Sequence, residues 1–340
     1  MEDNKARNLC VGGAKLKSPN IELMRFLVML LIMGHHLYHI GLEGTYLTRN
    51  CWVWVDFYFI ISGAFTYAHF QVHSKVADGE GSEALAYTLR KFKKFLIPVI
   101  STVVIQYCLD ALTQMQCWNV KEFIKGMLYL PYEVMFLSSS GIVNPMVAPI
   151  WYLSAMFIVL PLVAYLIQAH KELWKIVAFT LPILYFGHKG VNTDRVWPND
   201  MVRAFVCLSL GTIVYLLAAQ IKKIPDNRVS KGLFSVLEIM SVIVAMYISI
   251  FNKPFLNLME LLFVIICVFM LSGRTISALW SAKIIFVLGS LSMPMYIFHW
   301  TIGSVAVMLT KNIAKRLFVY FMGTIVISGV FVFWEKRLKF

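Results

Sequence analysis

From residue 24 onward, nearly the whole chain is divided into apolar, charge-poor runs. They cover 24–42, 52–70, 95–113, 149–167, 174–187, 201–220, 232–250, 256–272, 284–309 and 317–334. All but the short 174–187 run approach or exceed the length a membrane helix needs. Soluble domains run near 45–50% apolar and about 25% charged residues. Here 340 residues are 59% hydrophobic and 14% charged, with a mean hydropathy of +0.71. A soluble globular enzyme, a disordered chain and a disulfide scaffold are therefore excluded. The expected fold is all-α, a polytopic integral membrane bundle of about ten transmembrane helices. It forms one domain over 1–340, with 1–20 as a cytoplasmic tail. The region 120–148, with Ser138-Ser139-Ser140-Gly141 and two prolines, reads as a loop with a partial helix. No internal repeat is visible.

The formal net charge is +13. In a soluble chain that would point to nucleic acid. Here no separate basic domain exists to carry such a partner, so none is expected, and basic loops orienting membrane helices explain the excess. With ten helices, twenty of the 31 Lys and Arg residues fall on one face and nine on the other, with Arg25 and Arg203 inside helices. The basic face, which includes both termini, is expected to be cytoplasmic. A plasma-membrane location follows as an expectation. The first apolar run starts at Phe26 without a small-residue cleavage site, so no cleavable signal peptide is expected. Six scattered cysteines show no CxxC spacing, and sequence leaves open whether Cys51 and Cys117 meet outside the membrane.

The most informative run is the first. Arg25 and His36 are eleven residues apart, 20° past three full turns, so they share a face about 16 Å apart along the axis. Either Arg25 snorkels to lipid headgroups and His36 is interfacial, or both belong to a polar track inside the bundle. His35 and His39 stand at i, i+4, but no carboxylate or cysteine accompanies them at ligand spacing, so no metal site is expected. Asp56 begins an otherwise apolar aromatic run. Buried in hydrocarbon it needs a partner, and Arg203 or a protonated histidine from a neighbouring helix fits. A structural ion pair and a catalytic role are equally open to it. Ser62-Gly63 read as small residues that let helices approach. Trp151 and Tyr152 form either an interfacial aromatic belt or a flat platform for a sugar ring. Ser292, Tyr296 and His299 fall on one helical face.

Six motifs in chain order resemble the membrane-bound acyltransferase family 3, integral-membrane O-acyltransferases that modify sugars. They are Arg25 followed after ten residues by His36; Asp56-Phe-Tyr-Phe-Ile-Ile-Ser62-Gly63; and the basic, proline-terminated Arg90-Lys91-Phe-Lys93-Lys94-Phe-Leu-Ile-Pro98. Pro149-Ile-Trp151-Tyr152-Leu153, then Arg203-Ala-Phe205 with Gly211, and Leu288-Gly-Ser-Leu-Ser292-Met-Pro-Met-Tyr296-Ile-Phe-His299 follow. The glutamate that follows the Trp element in some members is absent, and no fused extracytoplasmic hydrolase-like domain is expected. The resemblance implies transfer of an acyl group, in the first instance acetyl, from cytoplasmic acyl-CoA to a hydroxyl of a cell-envelope or lipid-linked sugar. It implies His36, Asp56 and His299 as catalytic residues, with His36 as general base. Arg25, Arg90, Lys91 and Lys93 are implied for the donor's phosphates. Trp151, Tyr152, Arg203, Ser292 and Tyr296 are implied for the acceptor. Acetyl-CoA or another acyl-CoA is a co-substrate, no cofactor is expected to be tightly bound, and the expected partners are the bilayer, the donor and a carbohydrate. Direct transfer and an acyl-histidine intermediate both fit these residues. Oligomeric state is not legible. The competing reading is a transporter or flippase of a lipid-linked sugar, using the same His/Asp/Arg cavity as a proton relay.

Overall fold

The computed structural model describes residues 10–11, 14–15, 19–42, 48–72, 82–113, 120–135, 137, 146–189, 199–251, 256–279 and 283–338. Helices form because hydrocarbon offers no hydrogen bonds, so each segment must satisfy its own backbone. Helix α1 (Pro19–His35) continues as a 3-10 helix over His36–Ile40, and a short 3-10 turn, Cys51–Trp54, leads into α2 (Val55–Val72). Next come α3 (Ser82–Thr113), α4 (Val120–Val134), α5 (Ile150–Ala169), α6 (Lys171–Lys189) and α7 (Asn199–Ile221). The chain continues through α8 (Arg228–Phe251), α9 (Leu256–Ser272), α10 (Lys283–Leu309) and α11 (Ile313–Phe318), then a π-helical turn, Val319–Gly323, and α12 (Thr324–Leu338). A two-residue antiparallel pairing joins Cys10–Val11 (β1) to Ala14–Lys15 (β2) in the tail.

Each of the ten apolar runs coincides with helix. Among the described residues, eight helices are long and apolar enough to cross a membrane. Helix α9 is apolar but has only 17 residues, and α6 carries Lys171, Glu172, Lys175 and Lys189. The chain is a multi-pass, all-α membrane bundle. Helix α3 runs through the basic stretch that the sequence placed before its apolar span. Its 32 residues make it about 48 Å long against a hydrocarbon thickness of about 30 Å, so the charged first third projects beyond the apolar layer. The expected partial helix in 120–148 is α4. Glu133 at its end accepts from the backbone N–H groups of Met146 and Val147, fixing the approach to α5 and with it Trp151 and Tyr152. Burial pushes the Glu133 carboxyl up to about 7, against the pull of those two N–H groups.

Close backbone approach sets the centre. A methyl on Gly63 would overlap the Leu208 carbonyl oxygen, and one on Gly211 would overlap that of Ile60. Gly63 and Gly211 therefore let α2 and α7 pack backbone to backbone, the packing role read for Ser62-Gly63. At one end of the bundle, Asn20 bonds Ser277 at 3.0 Å, and Arg274 joins the carbonyl of Lys222 at 2.6 Å and Asp226 at 3.1 Å. At the other end, Gly41 adopts φ 87° and closes the 3-10 turn, and Arg316 donates to the Ile40 carbonyl at 2.9 Å. Cys51 is buried as a free thiol; Cys117 lies outside the described residues.

Candidate active site

Two polar clusters sit inside the bundle, bridged by α5. The first is built where α1 changes its winding. In a 3-10 helix, residues i and i+3 eclipse, so His36 and His39 fall on one side. Both meet Trp300 of α10: His39 stacks on it with centroids 3.8 Å apart and planes 17° apart, and His36 meets it edge-on at 5.5 Å. The His36 ring is 5.2 Å from the ring of His299 and shares a 3.2 Å hydrogen bond with the Tyr38 hydroxyl. The His35 ring lies beside that of His36, centroids 4.8 Å apart, with its Nδ1–H donating to the Arg49 carbonyl.

His299 is fully buried. Its Nδ1 lies 2.8 Å from the Tyr296 carbonyl and 3.1 Å from that of Met295. Carbonyls only accept, so Nδ1 carries the hydrogen and Nε2 presents a lone pair. Nε2 has no hydrogen-bond partner among the described residues, an exposed chemical capacity in a place where polar atoms are normally satisfied. The π-helical turn brings Tyr320 alongside. Its ring is 6.3 Å from His299 and its hydroxyl donates to the Met33 carbonyl at 3.0 Å. Such turns often mark functional positions.

Behind His39 runs a relay of hydrogen bonds. His39 Nε2–H donates to Ser304 Oγ at 3.0 Å and to the Trp300 carbonyl at 3.1 Å. Ser304 donates to Gln106 Oε1 at 3.1 Å, and Gln106 Nε2 donates to Asp110 at 2.9 Å. None of Trp300, Ser304, Gln106 and Asp110 stood out in the sequence reading. Gln106 and Asp110, polar residues at i, i+4 inside an apolar run, were the available signal.

The second cluster lies between α2, α7 and α9. Arg203 Nη2 donates to Asp56 Oδ2 at 2.6 Å, with the two side chains 7% and 0% exposed. Of the two partners open to a buried aspartate from the sequence, Arg203 or a protonated histidine, this is the arginine. The guanidinium lies over Trp52 at 4.9 Å and Trp151 at 5.6 Å from the ring centroids, stacking that suits its planar, weakly hydrated charge. Glu260 joins from α9, with Cys207 Sγ–H donating to its Oε1 at 3.6 Å. Glu260 escaped the sequence reading although it is the one charged residue in Leu256–Ser272, which by itself marks a functional position.

Consecutive residues of α5 face the two clusters. Trp151 lies beside Arg203, while Tyr152 packs against Tyr296 at 5.4 Å, Tyr58 at 6.3 Å and Phe59 at 4.4 Å. Tyr152 is 1% exposed, so it belongs to the bundle's interior and not to an interfacial belt. The Tyr296 hydroxyl donates to the Pro149 carbonyl at 2.7 Å, and Ser292 donates to the Gly289 carbonyl at 2.8 Å. Arg25 lies toward the other end of α1, paired with Glu22 at 3.1 Å, and its carbonyl accepts from Tyr58 at 2.5 Å. On the projecting part of α3, Arg90 donates to Glu83 at 2.6 Å, Lys91 lies 4.7 Å over the Tyr87 ring, and Lys93 is exposed. The structure thus groups His36, His299 and Tyr296, and separately Asp56, Arg203 and Trp151. Arg90 and Lys91 make local contacts on their own helix.

A bundle of apolar helices with histidines, a buried ion pair and stacked aromatics in its interior defines a membrane-embedded enzyme-like site. The family model for the acyltransferase domain, family 3, matches residues 18–335. The chain belongs to that family, a membrane acyltransferase whose matched region takes in every residue of both clusters. No curated protein and no solved structure gives a match.

Proposed function

We propose that this protein transfers an acyl group, acetyl in the first instance, from cytoplasmic acyl-CoA to a hydroxyl of a cell-envelope or lipid-linked sugar. The carrying observation is the His36–His299 pair, rings 5.2 Å apart, with a buried unpartnered Nε2 on His299, in a chain of the acyltransferase family. His36 takes the proton of the acceptor hydroxyl. The oxygen attacks the thioester carbonyl, the new C–O ester bond forms, the C–S bond breaks, and coenzyme A leaves as the thiol with the proton from His36. His299 is the second buried proton acceptor beside the reacting oxygen. The His39–Ser304–Gln106–Asp110 relay orients the Trp300 stack that walls this point. Trp151 and Arg203 meet the acceptor, while Tyr152, Ser292 and Tyr296, buried and bonded within the bundle, hold the wall behind them. Asp56 keeps the Arg203 guanidinium in place.

The donor spans the distance between the two ends of α1. Its phosphates sit at Arg25, assisted by Arg90, Lys91 and Lys93 on the projecting part of α3, and its flexible arm carries the thioester about 16 Å inward to His36. Arg25→Lys keeps the charge and the pairing with Glu22 but loses the planar fork that grips phosphate. Donor affinity is expected to fall about tenfold or more, since charge-assisted hydrogen bonds contribute about 1.5–3 kcal/mol. Titration of acetyl-CoA into purified protein reads this. Unchanged affinity in a folded Arg25→Ala protein would make Arg25 a snorkelling anchor instead.

We place the protein in the plasma membrane with both termini cytoplasmic, on the Lys/Arg asymmetry. Reporters fused after residue 340 or within 222–231 are expected to read cytoplasmic, and reporters within 114–147 or 189–199 to read the opposite face. Reporters at 189–199 and 222–231 on one face would remove α7 as a crossing. The reaction itself is tested in nanodiscs with labelled acetyl-CoA and a panel of sugars. Alkali-labile label on the sugar with release of the coenzyme A thiol is the expected result. Accumulation of unmodified lipid-linked sugar in vesicles, without ester formation, would establish the transporter.

A further inference from the structure

Asp56, Cys207 and Glu260 converge from three helices, and their ligand-capable atoms all lie within 4.8 Å of one another. All three are buried. No N–H, O–H or S–H donor among the described residues reaches Asp56 Oδ1 or Glu260 Oε2, although carboxylate oxygens buried in a bundle are normally satisfied. Two carboxylates and one thiol share the space beside one guanidinium. We propose that Asp56, Cys207 and Glu260 form a binding site for a borderline-soft divalent cation of the zinc class.

The donor set selects the ion. Magnesium and calcium take oxygen ligands, whereas one thiolate with two carboxylates suits a first-row dication that accepts sulfur and oxygen together. Charge closes on the same answer. On binding, the Cys207 S–H bond breaks, its proton passes to solvent and sulfur bonds the metal. Two carboxylates, one thiolate and Arg203 then sum to −2, which a dication neutralises. Zinc bonds of about 2.0–2.3 Å place tetrahedral ligand atoms about 3.3–3.8 Å apart, a contraction within reach of side-chain rotation. The outer shell is already built. Arg203 holds Asp56 Oδ2 at 2.6 Å, leaving Oδ1 for the metal, and Trp52 and Trp151 hold the guanidinium. A hydrogen-bonded, fixed carboxylate is how metal ligands are usually oriented. Three protein ligands is also the number found where zinc keeps a position open for water or substrate.

The test uses the full-length protein, purified under reducing conditions in nanodiscs. Elemental analysis is expected to find about one zinc per chain. After chelation, added Co²⁺ is expected to produce a near-ultraviolet thiolate-to-cobalt absorption band. Cys207→Ser is expected to abolish that band with helix content unchanged, and Glu260→Gln to weaken zinc binding at least tenfold. Folded wild-type protein that takes up neither zinc nor Co²⁺ above the empty-nanodisc level would overturn the site. So would a cobalt band that survives Cys207→Ser. These readouts do not depend on turnover, so acyl transfer could fail its own test while the metal site stands, and the reverse.

Discussion

His36→Ala is expected to reduce acyl transfer at least about 10²-fold, the lower end of what a positioned general base supplies. Expression, helix content and donor affinity should stay near wild type, because His36 ends the donor's path about 16 Å from Arg25 and is only half-buried. His35→Ala should do much less. Its ring borders His36, but its Nδ1–H is committed to the Arg49 carbonyl, whereas His36 makes the contacts to Trp300 and His299. A structural role for His36 predicts the opposite pattern, a poorly expressed variant whose surviving molecules turn over normally. Transfer per folded molecule separates the two, and near-wild-type turnover in His36→Ala would end the catalytic assignment.

The buried pair at the centre of the bundle should dominate stability. Arg203→Met leaves the buried Asp56 carboxyl without its cation, and Asp56→Leu leaves the guanidinium without its partner. Breaking a buried pair by removing one side costs about 3–5 kcal/mol, whereas replacing both sides with apolar residues is often neutral. Each single variant is therefore expected to lose about 3–5 kcal/mol, and the double variant Asp56→Leu/Arg203→Met to recover at least half of it. Unfolding in bicelles after chelator treatment isolates the pair from any bound ion. Single variants within about 0.5 kcal/mol of wild type would mean that the pair is solvated.

Much of this was legible in the residues. Apolar run length located the helices, because hydrocarbon thickness sets how many consecutive apolar residues a crossing takes. That Asp56 needs a cationic partner followed from a charge placed where it is not tolerated alone, and the structure chose Arg203 over a histidine. Gly63 announced a close contact by its size. Glu260 was available on the same grounds as Asp56, as a lone carboxylate in an apolar run, and was missed for want of a motif around it.

The end of α1 shows where sequence arithmetic stops. Extending 100° per residue through residue 39 puts His35 and His39 on one face. The chain instead tightens into a 3-10 helix after His35, and three residues per turn put His36 with His39 against Trp300. Nothing local dictates that change. It accompanies the packing of Thr48 against Gly34 and the docking of Arg316 on Ile40, residues up to 276 positions apart. Similarly, Tyr152 had the makings of an interfacial aromatic and is instead sealed among Tyr58, Phe59 and Tyr296, because Glu133 and the turn at Met146–Val147 set where α5 begins. By itself, the sequence determined that the chain lives in a bilayer as a helical bundle and which charged residues must find partners there, since solvent polarity acts on each segment separately. Only the tertiary structure decided which histidines share a wall, which lone pair is left open and which carboxylates converge, since those depend on contacts between helices whose spacing no single segment encodes.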